Sequence, residues 1–475
     1  MTITQIQQEL KSGKTIFQIT EEAIAKLKSS AEYNAIITPL FDSALERAKV
    51  LDIKLKAGDE ISKNPLFGIP FIAKDNIAVK GTLTTAASNI LGNYISPYSA
   101  TAIQKLEGRG AICIAKANLD SFGHGSSTEN SDFAPTLNPH DQTRVPGGSS
   151  GGSAASVALK IVPFAIGTDT GGSIRQPASF TGTFGIKPSY GRVSRNGILA
   201  MASSTDTVGV LASSSADLSL VIDVIAGQDP KDSTTIQKTE SLRKSDSTAK
   251  KYKVAVIKEM LSEGVDLEVR ESVESAIAKL KSAGIQIEEI SIPEIEYALA
   301  AYYIIIPAEI SSNLARYDGI RYGYSQPNST DLNSLYQQSR ASGFNAENKR
   351  RILIGTYVLS SGYYDAYYKK AQQVRTLLKN AFDKAFEKYD CLLGPVAPTT
   401  AFKFGASETP LQMYLGDIMT VSASLIGSPA SSIPIGFGSE TKMPVGLQII
   451  SAHGQDKKVL SLSRLVEDLQ KEEAK

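Results

Sequence analysis

The chain has 475 residues, of which 42% are hydrophobic and 21% charged, so it can bury a large core and has the composition of a soluble globular protein. Fifty basic residues against forty-nine acidic ones give a net charge of +1, which excludes an overall field that would draw the chain to nucleic acid or an anionic membrane. Two cysteines and three histidines, without metal-ligand spacing, argue against a disulfide framework and a zinc site. We expect Cys113 and Cys391 to be reduced core thiols in a cytosolic protein, since no signal peptide or membrane span is evident.

Residues 1–60 are expected to be helical. The segment TIFQITEEAIAKLKSS has apolar residues at helical spacing, which form one stripe of Ile16, Ile19, Ala23, Ile24 and Leu27. Over residues 61–226 the pattern changes to short apolar runs that end in polar or glycine-rich loops, as in LFGIPFIAKDN, GAICIAKAN and IVPFAIGTDT. Helical patterns such as SATAIQKLEGRG lie between these runs. This alternation predicts an α/β layered fold.

The second half of the chain begins with a polar surface excursion, predicted over residues 227–251. Residues 252–475 are predicted to complete the α/β core and to supply segments of a substrate pocket. They read as a strand in YKVAVIKE, a helix ending at Gly284, a strand in IQIEEISI and a tyrosine-rich helical block that starts at NKRRIL. Strand-like CLLGPVAPTT and PVGLQIIS precede a closing helix. We expect one domain over residues 1–475.

The segment PGGSSGGSAA, from Pro146 to Ala155, has six consecutive residues with no side chain larger than a hydroxymethyl group. A flexible linker is a poor explanation, because the flanking residues continue into a predicted strand. A phosphate-binding loop is also a poor one, because neither GxxxxGK[ST] nor GxGxxG is present. A catalytic loop, in which serines approach the main chain closely, remains as the third explanation.

A second stretch, GTDTGGSIRQPASF, supports the catalytic explanation. Paired glycines before Ser173 let successive backbone N–H groups point at one spot, as an oxyanion requires. A serine nucleophile also needs a base, and Lys74 follows an apolar run whose burial would lower the lysine pKa from about 10.4 towards 7. Taken singly, Lys74 would be a surface lysine, Ser173 a helix N-cap, and Ser149 and Ser150 loop serines. Their conjunction favours catalysis.

These segments resemble the amidase signature family of serine hydrolases. The resemblance rests on GGSSGGSAASVA, on GTDTGGSIRQPASFTGTFGIKPSYGRVS and on PLFGIPFIAKDNI, with Lys74 75 residues before Ser149 and Ser149 24 before Ser173. It implies a central mixed β-sheet covered by helices on both faces. It also implies that Ser173 is the acyl-forming nucleophile, Ser149 the bridging serine and Lys74 the base. The backbone of Thr170, Gly171, Gly172 and Ser173 would form the oxyanion hole, and we interpret Asp169 and Arg175 as charges that organise the loop.

Further segments are similar to one branch of the family, the glutaminase subunits of tRNA-dependent amidotransferases. They are SSNLARYDGIRYG, the tyrosine-rich block, and PTTAF with MYLGDIMT. This similarity implies that the chain needs no cofactor and releases ammonia from glutamine. The ammonia would pass to a second chain of the complex, the B subunit, which holds tRNA and uses ATP and magnesium. A small third chain, the C subunit, would complete a heterotrimer.

Free glutamine carries an α-carboxylate and an α-ammonium group, and the resemblance assigns these to Arg351 and Asp417. Without the resemblance, Arg351 would be one member of a solvated charge run with Lys349 and Arg350. The segment NLDSFGHGSSTENS departs from the family's DEFAMG text at Ser121, Gly123 and His124.

Two other functions stay open on the sequence. One is a stand-alone amidase for another small carboxamide, and the other is a scaffold without catalysis. The sequence also does not decide between Glu-tRNA(Gln) and Asp-tRNA(Asn) as the acceptor, because that site would lie on another chain.

Overall fold

The computed structural model describes residues 1–58, 64–237, 239–243, 249–406 and 410–473. In these residues, eleven strands form one mixed sheet in the order β1-β3-β2-β4-β6-β5-β10-β11-β9-β7-β8. The strands are β1 Ile36–Pro39, β2 Pro70–Lys74, β3 Ile112–Ala117, β4 Phe164–Asp169, β5 Phe184–Lys187, β6 Thr207–Ala212, β7 Lys253–Ile257, β8 Gln286–Ile290, β9 Cys391–Pro395, β10 Ala430–Phe437 and β11 Pro444–Ile450. The predicted α/β class with a central mixed sheet is therefore confirmed.

The described residues also form fifteen α-helices, several of which pack directly against this sheet. They are α1 Ile3–Lys11, α2 Ile16–Ser29, α3 Phe41–Ala57, α4 Thr101–Gly108, α5 Gly151–Ala158, α6 Arg175–Thr181, α7 Ser215–Ile225, α8 Leu267–Ser282, α9 Ala298–Leu314, α10 Leu332–Gly343, α11 Ala346–Val358, α12 Lys370–Phe386, α13 Pro410–Leu415, α14 Val421–Leu425 and α15 Asp456–Glu473. One large apolar cluster is built mainly from residues 3–225 and a second mainly from residues 249–466.

The N-terminal segment confirms the predicted helical stripe. Helix α2 starts after Thr15, whose hydroxyl accepts the Gln18 N–H at 3.1 Å, and all five residues of the stripe are buried. The prediction of helix throughout residues 1–60 is wrong for β1, which pairs antiparallel with β3. Four residues are too few to show a strand period, so the pattern gave no signal for this strand.

The centre of the sheet sets the position of the candidate site. Strand β2 lies between β3 and β4 and is parallel to both, and all three strands are buried along their whole length. Parallel neighbours bring their carboxyl ends to the same edge of a sheet. Lys74 at the end of β2 and Asp169 at the end of β4 therefore share one edge.

The second half of the chain follows most of the predicted elements. Strands β7, β8, β9 and β11 and helices α8 and α15 lie where the sequence indicated. The tyrosine-rich block is two helices, α11 and α12, separated by a π-helical turn over Tyr364–Lys369. Strand β10 was not predicted, although it joins β5 to β11.

The predicted excursion over residues 227–251 lies at the surface and is pinned to the body of the protein. The Ile236 N–H donates to the Gly191 carbonyl at 2.8 Å, and Leu242 is buried. Residue 238 and residues 244–248 of this excursion lie outside the described residues.

Both cysteines are free thiols in the buried core. Within the described ranges, no helix has the length and apolar character needed to cross a membrane. The same ranges contain no cluster of His, Cys, Asp and Glu that could hold a metal ion.

Candidate active site

The glycine–serine segment runs under the edge where β2 and β4 end, and it leads into α5. Its glycines are required by close approach. A Cβ added at Gly148 would lie 2.1 Å from Asp120 Oδ2, and one at Gly152 would lie 2.4 Å from the Ala35 carbonyl oxygen. No real Cβ fits at such distances, so the bare backbone lets the loop pack directly against its neighbours.

Lys74 is fully buried, and its amine lies on this loop. Lys74 Nζ is 2.6 Å from Ser149 Oγ and 3.0 Å from Ser150 Oγ. Burial lowers the pKa of Lys74 from 10.5 to about 7. The structure thus places Lys74 and Ser149 together, and it adds Ser150, which the sequence analysis treated only as a loop serine.

Three acidic residues surround the lysine and oppose the effect of burial on its pKa. They are Asp120, Asp169 and Asp206. Burial raises the pKa values of Asp120 and Asp206 to about 6, although each carboxylate accepts two backbone N–H bonds. Lys74 therefore sits in a buried site whose three carboxylates still favour its protonated form, which would suit a base that must both take and return a proton.

The turn that carries Ser173 is organised by a buried ion pair, as predicted for Asp169 and Arg175. Arg175 Nε and Nη2 donate to the two Asp169 oxygens at 3.0 and 2.9 Å, and neither side chain is exposed. The Asp169 carboxylate also accepts the Gly172 and Ile174 N–H groups at 2.9 and 3.2 Å. One carboxylate therefore holds the turn at several points.

These contacts change the composition of the predicted oxyanion hole. The Gly172 N–H already donates to Asp169, so it is not available to a substrate oxygen. In the part of the chain that the structure describes, the N–H groups of Thr170, Gly171 and Ser173 have no protein acceptor. Three of the four predicted backbone N–H groups thus remain candidates for the oxyanion hole. The sequence signal that could have excluded Gly172 is Asp169, a carboxylate three residues before it.

Ser173 lies directly beside the glycine–serine loop, with 8% of its surface exposed. Its carbonyl accepts the Ser150 N–H at 3.0 Å. Among the described residues, the Ser173 hydroxyl makes no hydrogen bond, whereas Ser149 Oγ is in contact with Lys74. The structure therefore forms the lysine half of the predicted relay and leaves the Ser173 hydroxyl free.

Arg351 and Asp417 are brought together by two tyrosines that the sequence analysis did not identify. The rings of Tyr303 and Tyr414 stack with centroids 3.8 Å apart, and the Arg351 guanidinium lies 5.4 Å from each ring centroid. The Tyr303 hydroxyl donates to Asp417 Oδ2 at 2.6 Å. Arg351 Nε donates to Glu347 Oε1 at 2.8 Å, and no described residue accepts from its two terminal nitrogens.

The electrostatics of this pair suit a charged ligand. Arg351 is almost fully buried, so it is not the solvated face that its charge run suggested, and Asp417 is half-buried. Burial raises the pKa of Asp417 to about 7, whereas Tyr303 and Arg351 lower it. A bound cation would lower the pKa of Asp417 further and so favour its ionised form.

This pair adjoins the turn that carries Ser173. A Cβ added at Gly171 would lie 2.3 Å from the hydroxyl of Tyr302, the residue before Tyr303. The Thr420 hydroxyl donates to the Gly171 carbonyl, and the Thr420 N–H donates to the Asp417 carbonyl at 3.0 Å. The free guanidinium nitrogens, the carboxylate and the free amides thus belong to one contiguous region.

Comparisons with known proteins agree with this arrangement. A family model described as Amidase matches residues 18–460. The chain belongs to the amidase family. It is 49% identical to the A subunit of glutamyl-tRNA(Gln) amidotransferase from Thermoanaerobacter pseudethanolicus, over 100% of this chain and 97% of that protein. It is 50% identical to the protein of the same name from Heliobacterium modesticaldum, over 91% of this chain and 89% of the relative.

Solved structures show the same amidase fold. The crystal structure of the glutamyl-tRNA(Gln) amidotransferase A subunit from Thermotoga maritima superposes with a TM-score of 0.80 at 37% identity, covering 98% of this chain and 94% of that chain. A structure described simply as an amidase superposes with a TM-score of 0.83 at 29% identity, covering 98% and 99%. The family and fold implied by the sequence resemblance are therefore confirmed.

Proposed function

We propose that this chain is the glutaminase subunit of a tRNA-dependent amidotransferase. The observation that carries the proposal is the fully buried Lys74, whose amine lies 2.6 Å from Ser149 Oγ beside the turn that carries Ser173. A scaffold has no need of a buried base on a serine, since burying an amine costs stability. The relatives' names supply the amidotransferase context.

In the proposed acylation step, the Ser173 oxygen attacks the side-chain carbonyl carbon of glutamine. The hydroxyl proton passes to Ser149, and the Ser149 proton passes to the neutral amine of Lys74. The oxyanion that forms accepts hydrogen bonds from the free amides of the Ser173 turn. When the C–N bond breaks, the proton held by Lys74 returns through Ser149 to the leaving nitrogen, so that ammonia departs and a glutamyl ester remains on Ser173.

Deacylation reverses the roles of the same groups. Water attacks the ester carbonyl while Lys74, acting through Ser149, takes its proton. The C–O bond to Ser173 then breaks, and the proton returns to the Ser173 oxygen. Glutamate leaves, and each serine and lysine recovers its starting protonation state.

The specificity for glutamine is proposed to come from the Arg351–Asp417 pair. The two free guanidinium nitrogens match the two oxygens of an α-carboxylate, and a partly accessible carboxylate suits an α-ammonium group. Tyr303 and Tyr414 hold the guanidinium in place by stacking and by excluding water.

We propose that the ammonia is used by a partner chain, because the relatives are named as one subunit of an amidotransferase. That partner, the B subunit, would bind tRNA, ATP and magnesium and would amidate Glu-tRNA(Gln) or Asp-tRNA(Asn). A third chain, the C subunit, would complete the heterotrimer, and the reaction would take place in the cytoplasm. The near-zero net charge of this chain suits a protein that leaves tRNA to its partner.

The test is purification of the tagged chain from its native cell, followed by ammonia release from glutamine with and without charged tRNA. We expect two specific partner chains and glutamine hydrolysis. Recovery of the chain alone, with glutamine a poor substrate and another carboxamide a good one, would favour the stand-alone amidase. Recovery with partners but without hydrolysis would favour the scaffold.

A further inference from the structure

The segment whose sequence departs from the family pattern, at Ser121, Gly123 and His124, packs against helix α11, which carries Arg351. The Ser121 hydroxyl donates to Asn348 Oδ1 at 2.8 Å, and Asn348 Nδ2 donates to the Ser121 carbonyl at 3.1 Å. These two bonds fix which end of the Asn348 amide is the donor. The same Nδ2 lies 2.7 Å from His124 Nδ1, so Nδ1 accepts and the ring proton is on Nε2.

The Nε2–H group of His124 has no partner among the described residues, although the side chain is fully buried. Burial, with a smaller contribution from the charge of Arg351, holds the pKa of His124 well below its usual range, so the ring is neutral. A buried donor without an acceptor is destabilising, because it has lost its hydrogen bonds to water without replacement. Native proteins seldom leave such a group unless a ligand or water satisfies it.

The location of His124 identifies a candidate ligand. Asn348, which fixes the ring, is three residues before Arg351 on α11, and residues at this spacing lie on the same face of a helix. On the other side, a Cβ added at Gly123 would lie 3.5 Å from Ser149 Oγ. The His124 ring is therefore held by the helix that carries Arg351, near enough to feel its charge, and it directly follows a residue that approaches the bridging serine.

We propose that His124 is a substrate-binding residue whose Nε2–H donates to the α-carboxylate of glutamine beside Arg351. This inference rests on the proposed function, because it names a second donor for the same substrate group. A neutral imidazole suits this place, since it adds a donor without adding a second positive charge next to the arginine. Ser121 and Asn348 are positioning residues for the ring.

The test uses His124→Phe in the assembled complex, alone and combined with Arg351→Ala. Phenylalanine keeps a planar ring and removes both nitrogens. We expect kcat/KM for glutamine to fall about 10- to 100-fold through a higher KM, since one hydrogen bond to a charged group is worth about 1.5–3 kcal/mol. The matched control is His140→Phe, whose ring nitrogen contacts the Thr181 carbonyl at 3.1 Å in another part of the molecule.

The double variant separates binding from positioning. If His124 contacts the carboxylate itself, the loss persists when Arg351 is already alanine. If the effect disappears in that background, His124 acts only through Arg351 and the proposal is wrong. An unchanged KM for glutamine in His124→Phe would also overturn it, and because the wild type is assayed alongside, that result leaves the glutaminase assignment intact.

A measurement on the unmodified histidine covers the case in which His124→Phe does not fold. The chain has three histidines, so ¹⁵N-histidine labelling gives few signals to assign. In a Ser173→Ala complex, glutamine should shift the Nε2 resonance of His124. A signal that is unmoved at saturating glutamine would contradict the proposal.

Discussion

The pH dependence of acylation tests whether Lys74 is the base. With its ordinary pKa of 10.5, about one lysine in 3000 would be neutral at pH 7, whereas a pKa of about 7 makes about half of them neutral. Burial thus increases the population of the free base about a thousand-fold, which corresponds to about 4 kcal/mol. Since only the neutral amine can take a proton, activity is lost as the pH falls through 7 and reaches a plateau above about 8.

The assay is single-turnover ammonia release from saturating glutamine in the assembled complex, between pH 5.5 and 9. We expect a fall of about tenfold between pH 7.5 and pH 6. Below pH 6 the fall becomes shallower, because protonation of Asp120 and Asp206, with pKa values of about 6, removes two charges that favour the lysine proton. On the plateau above about pH 8, Lys74→Arg should be about 10²–10⁴-fold less active than the wild type, since a guanidinium keeps its proton. A flat profile from pH 6 to 8, or an active Lys74→Arg variant, would refute the reasoning.

Two further predictions concern the pocket and the loop. Asp417→Asn and Arg351→Lys should each raise KM for glutamine by about 10- to 100-fold in steady-state assays. Hydrolysis of a neutral amide without either charged group should change little. Unchanged KM values would show that glutamine does not bind at Arg351 and Asp417. Gly148→Ala should lower stability by about 1–3 kcal/mol in thermal unfolding and abolish activity, because its Cβ would lie 2.1 Å from Asp120 Oδ2. The control is Gly108→Ala, where a Cβ meets nothing within 4 Å, and equal behaviour of the two variants would contradict the packing argument.

The sequence predicted those parts of the site that depend on nearby residues. A lysine at the end of a buried strand, and glycines that allow a close approach, both follow from short stretches of the chain. In the structure Lys74 is buried and contacts Ser149, and parallel pairing of β2 and β4 explains why the ends of the two strands meet.

The remaining parts depend on contacts between distant segments. Ser121 and Asn348 are 227 residues apart, and Tyr303 and Asp417 are 114 apart, so no local pattern could pair them. The burial of Arg351 was hidden for the same reason. Its helix reads as a charged surface in KRRIL, yet Glu347 and two aromatic rings cover the guanidinium. Strand β1 was missed because four residues carry too little periodicity.

The central claim, that Ser173 releases ammonia for a partner, is tested most directly by the Ser173→Ala variant of the assembled complex. The substitution removes one hydroxyl beside glycines and should leave the fold unchanged. We predict no amidated tRNA with glutamine as nitrogen donor and normal amidation with ammonium salts, because we propose that the amidation takes place on another chain. Retained amidation with glutamine, or loss of the ammonium-supported reaction in a folded complex, would contradict it.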